Sequence, residues 1–66
     1  MKKIVINGNE NGHENYIARM KFYTKNGWSI KDMDESGCVV ERVNHAGTIV
    51  EIQLLIEDGY LYEVEL

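Results

Sequence analysis

The apolar positions of the chain change period once, close to Trp28. Ahead of that point, the run Ile4-Val5-Ile6 reads as the middle of a short strand over residues 2–6. It leads into Asn7-Gly8-Asn9-Glu10-Asn11-Gly12, a turn-forming connection. Tyr16, Ile17, Met20 and Tyr23 then recur at i, i+1, i+4 and i+7, the single stripe of an amphipathic helix over residues 12–26. Asn11 with Glu14 three residues on has the form of a capping box. Lys25 suits the negative end of the helix dipole, and Gly27 is a ready left-handed stop, with Trp28 folding back on the helix end.

From Trp28 onward the pattern alternates, interrupted by Glu35-Ser36-Gly37, His45-Ala46-Gly47 and Glu57-Asp58-Gly59. Each triplet fits a three-residue hairpin loop ending on a left-handed glycine. At the last triplet this rule faces Ile56 with Tyr60, Leu54 with Tyr62, Ile52 with Val64 and Val50 with Leu66, all apolar. A two-residue loop at Asp58-Gly59 would instead face Leu54 with Glu63 and Ile52 with Glu65, so polarity favours the longer loop. The middle triplet pairs Val40 with Ile52, Cys38 with Leu54 and Arg42 with Val50. The first would face Asp34 with Cys38 and Asp32 with Val40, an uncomfortable pairing that points to a looser or bulged hairpin.

These elements assemble into a single α+β domain over residues 1–66. The order is β-α-β-β-β-β, an antiparallel meander sheet with one helix packed on one face and the first strand at an edge or between strands. The expected core is Ile4, Ile6, Ile17, Met20, Tyr23, Trp28, Ile30, Val40, Val50, Ile52, Leu54, Tyr62 and Val64.

Strand parity then defines the face turned away from the helix. Its rows are Val43 beside Ile49; Glu41, Glu51 and Glu65 in a line; Val39, Gln53 and Glu63; and Leu55 beside Leu61. A contiguous apolar set of this kind marks an interface, and facing glutamates cost a sheet a fraction of about 1 kcal/mol per pair. The expected partner-binding residues are therefore Glu41, Glu51, Glu63, Glu65, Val43, Ile49, Leu55 and Leu61.

Composition narrows the classes of function. Sixty-six residues make one domain with a small core, and Cys38 is the sole cysteine, so no intrachain disulfide supports it. The lone cysteine fits a reducing compartment, no stretch reaches the roughly 20 apolar residues of a membrane span, and a cytoplasmic location is expected. Eleven acidic against seven basic residues, a net charge of −4, disfavour direct nucleic-acid binding and favour a protein partner with a basic surface.

Candidate chemistry is sparse. Cys38 lies on the interior face with no histidine fixed beside it. Asp32, Asp34, Ser36 and Gly37 copy half of a calcium loop, but Val43 stands where a bidentate glutamate belongs. A solvated hairpin tip is the better reading of Asp32, Asp34 and Glu35, with a weak, adventitious cation site the alternative. His13 and His45 have no partner at zinc spacing, and the glycine-containing loop after the first strand lacks the Gly-Lys-Ser/Thr ending of a phosphate loop. No catalytic, cofactor-binding or metal-binding residue is assigned.

Two functions follow. The first is a non-catalytic small acidic protein, of phage or prophage type, that inhibits a host defence effector, nuclease or DNA-binding protein by occluding its basic surface. The second is a homodimeric accessory subunit whose second sheet face is its dimer interface.

Overall fold

The computed structural model describes residues 2–66. β1 (Lys3–Val5) is followed by α1 (Gly12–Lys25), β2 (Ser29–Asp34), β3 (Gly37–Val43), β4 (Ile49–Glu57) and β5 (Tyr60–Glu65). The strands form one antiparallel sheet in the order β1-β5-β4-β3-β2, and α1 crosses one face. This is the α+β meander read from the hydrophobic pattern, with β1 at the edge beside β5.

The helix begins without the expected capping box, since the Asn11 side chain makes no cap hydrogen bond. Asn9 Oδ1 instead accepts from the Asn11 backbone N–H at 3.3 Å and from Asn15 Nδ2 at 2.8 Å, tying the loop to the first turn. Gly12 is buried against the β4–β5 turn and donates its N–H to the Gly59 carbonyl at 2.9 Å; a Cβ there would sit 2.6 Å from that oxygen. At the other end, Gly27 has φ +87°. Trp28 N–H bonds the Tyr23 carbonyl at 3.0 Å and Gly27 N–H the Thr24 carbonyl at 3.3 Å, the paired closure of a left-handed helix stop. Trp28 then packs edge-on to Tyr23, ring centres 5.0 Å apart.

The β3–β4 hairpin keeps the expected register, with Val40 opposite Ile52 and Cys38 opposite Leu54. The other two hairpins do not. Asp58 and Gly59 both have positive φ, 54° and 85°, and form a two-residue turn. Leu54 therefore lies opposite Glu63, Ile52 opposite Glu65 and Ile56 opposite Leu61, the pairing that polarity disfavoured. Asp-Gly is a preferred pair for the mirror-image turn whose twist matches the strands, and that local preference outweighs the polarity of the pairs. In the first hairpin Asp34 pairs with Gly37 and Ile30 with Val40. The extra residue is taken up by a bulge at Asp32, φ 51°, so neither Asp34 nor Asp32 takes its expected partner.

Buried Tyr16, Tyr23, Cys38, Val40, Leu54 and Leu61 form the core, flanked by Ile6, Met20, Trp28, Ile30, Ile52 and Ile56. The expected core is corrected at five positions, of which Val50 is half-buried near the start of β4 and outside this cluster. Ile4 sits on the edge strand and Ile17 on the flank of the helix, both exposed. Tyr62 and Val64 belong to the opposite face because of the shifted β5 register.

Candidate interaction surface

The corrected register sorts the expected partner-binding residues into two groups. Glu41, Glu51, Val43, Ile49 and Leu55 lie on the face away from the helix. Leu61 does not: it is fully buried beneath α1. Glu63 and Glu65 share its side of β5, the first buried and the second exposed at the strand end. The line of three glutamates is thus reduced to Glu41 facing Glu51.

In place of the lost residues the helix-distal face gains Tyr62, Val64 and, from the edge strand, Lys3 and Val5. One row now runs across all five strands as Lys31, Val39, Gln53, Val64 and Lys3, and the next carries Leu55, Tyr62 and Val5. Val64 is buried, Val39, Leu55 and Tyr62 are half-buried, and Val5, Val43 and Ile49 are exposed toward the rim.

The charges in the body of this face are closed within the chain. The Lys31 ammonium lies 2.5 Å from Glu51 Oε2 and 3.1 Å from Glu41 Oε2, so the two facing carboxylates share one cation. Bonding to Glu51 and then to Glu41 raises the Lys31 pKa. Toward the β1 edge, Lys3 Nζ is 3.2 Å from Glu57 Oε1 and 4.6 Å from the centre of the Tyr62 ring.

The displaced Glu63 has a different environment. Its Oε1 accepts from Arg19 Nε at 2.5 Å and from the Tyr23 hydroxyl at 2.9 Å, and its side chain is 11% exposed. The Arg19 guanidinium stacks on Phe22 and Tyr23, at 4.8 and 5.4 Å from their ring centres. Burial and then the bond to Glu63 push Tyr23 up to about 12, while the bond to Glu63 raises Arg19. The carboxylate that polarity excluded from the interior is held there by one cation and one hydroxyl, so its work is structural.

The remaining candidates are placed as follows. Cys38 is buried and its thiol is pushed up by burial, the reverse of what a nucleophile needs. His13 opens the helix and His45 occupies the β3–β4 turn, both exposed. Asp34 Oδ1 accepts from Ser36 N, Ser36 Oγ and Gly37 N at 2.8, 2.9 and 3.0 Å, and these bonds, Ser36 foremost, lower its pKa. The half calcium motif is thus occupied by its own turn. Among the described residues no group of three or more His, Cys, Asp or Glu is arranged to hold a metal ion. No described helix is long and apolar enough to cross a membrane.

What the sequence reading missed was Lys31 as the cation between two glutamates, and the aromatic and aliphatic share of β5. The signal for the second was present in Asp58-Gly59 itself. Comparison with protein-family models, curated proteins and solved structures gives no match.

Proposed function

We propose that this chain is a non-catalytic, cytoplasmic binding protein that works through the helix-distal face of its sheet, and that the surface it covers is apolar. One observation carries the reading: the face combines Val39, Leu55, Tyr62 and Val64 with carboxylates already bound to Lys31. An inhibitor that occludes a basic surface needs free carboxylates, and Glu41 and Glu51 are not free. The cytoplasmic location is supported by Cys38 being the chain's one cysteine and buried.

A tagged chain recovered from cell lysate tests this proposal. Leu55→Glu should abolish recovery of the partner, whereas Phe22→Ser, on the exposed outer side of the helix, should retain it. The triple variant Lys31→Met, Glu41→Gln, Glu51→Gln separates the partner chemistries. An apolar partner stays bound, and a basic one is lost. Loss in the triple variant together with retention in Leu55→Glu would contradict the proposal.

A further inference from the structure

We infer that the occupant of this face is a second copy of the same chain, stacked sheet to sheet. The inference rests on reading the face as a binding surface, and it names the partner.

Charge is the first argument. At a net charge of −4 two copies repel in most orientations. The body of the helix-distal face is the exception, with Lys3 and Lys31 set against Glu41, Glu51 and Glu57, all engaged in ion pairs. Two positive charges against three negative leave one of the chain's four net negative charges here. A strongly charged partner of either sign finds no free counter-charge on such a face. A copy presents the same closed pairs and the same apolar rows.

Area is the second argument. Five strands about 4.8 Å apart, from three residues in β1 to nine in β4 and averaging about six, make a face of roughly 24 by 20 Å. Stacking two removes on the order of 1,000 Å² from water, about the lower bound for specific association. A reversible dimer of modest affinity follows. The resulting layers, helix, sheet, sheet and helix, give each chain the second covered surface that a domain of this size commonly obtains from a partner subunit.

Sedimentation equilibrium from micromolar to millimolar concentration tests the inference. The parent should approach twice its chain mass of 7.6 kDa, while Leu55→Glu stays at 7.6 kDa. Ile49→Glu guards against misfolding, because Ile49 is 60% exposed and its replacement leaves the core intact. It should weaken the dimer at least tenfold with an unchanged circular dichroism spectrum. Lys31→Glu, which sets four carboxylates against Lys3 on each facing surface, should weaken it further and be partly rescued by salt. A parent that stays monomeric throughout overturns the second copy as occupant. The lysate experiment then decides separately whether the face binds anything else. A dimer that survives both Leu55→Glu and Ile49→Glu lies elsewhere on the molecule and also overturns the inference.

Discussion

Glu63 carries a formal charge beneath the helix, and its stability contribution depends on what surrounds it. Removing its cation strands a buried carboxylate, whereas removing both partners leaves an apolar site. Arg19→Met should therefore destabilise the fold by about 2–3 kcal/mol, discounted because Arg19 is one-third exposed, and Arg19→Met with Glu63→Leu should recover most of that loss. Urea unfolding of the two variants checks the coupling. Tyr23 adds a pH dependence. Its pKa rises from 10.0 to about 12 on folding, so the folded state holds a proton that the unfolded state releases earlier. The stabilisation is complete below pH 10 and is lost as pH climbs toward 12, on the order of 2 kcal/mol for this one group. Tyr16 is raised as well and titrates on the same side. Urea unfolding across that range should show Tyr23→Phe losing less stability than the parent; an identical loss would remove Tyr23 from the account.

At the scale of elements, the helix, its stop at Gly27 and the β3–β4 register were legible because periodicity and turn chemistry agree there. The β4–β5 hairpin was not, because the two conflict. Sorting residues by polarity put Tyr62 and Val64 inside and Glu63 outside. The Asp58-Gly59 turn moved each by one position, and a one-residue slip exchanges every side chain between faces. No count of apolar pairs could reveal that Arg19, 44 positions away, meets Glu63. A looser or bulged first hairpin is legible from the Asp34 and Asp32 pairings, but the bulge's place at Asp32 is not, since it depends on Ile30 reaching the core. Glycines in these turns carry unequal weight. A Cβ on Gly37 would lie 1.8 Å from the Leu54 carbonyl oxygen, so Gly37→Ala should prevent the sheet from closing. A Cβ on Gly47 would meet nothing within 4 Å, and Gly47→Ala should cost only the left-handed strain, about 1 kcal/mol. Thermal melts followed by circular dichroism distinguish the two; similar melts would contradict the β3–β4 contact described here.

The described residues form one helix covering one side of a five-stranded sheet, with its other side lined by valine, leucine and tyrosine around the Lys31 ion cluster and the Lys3–Glu57 pair. The apolar character of that side was legible from Val39, Val43, Ile49 and Leu55, whose parity survives in the structure. Its electrical character was not, because an acidic row was read from one strand whose register is different and Lys31 was left out. The corrected face is apolar, with its carboxylates held in ion pairs and one net negative charge, and on that basis a partner like itself is proposed in place of a basic surface. Concentration-dependent methyl NMR tests this most directly. The account predicts that methyl signals of Val39, Leu55 and Val64 shift as the protein is concentrated, while those of Val40, Leu54 and Leu61 beneath the helix stay fixed. Shifts confined to Ile17 and its neighbours on the helix, or none on the helix-distal face at any concentration, would contradict it.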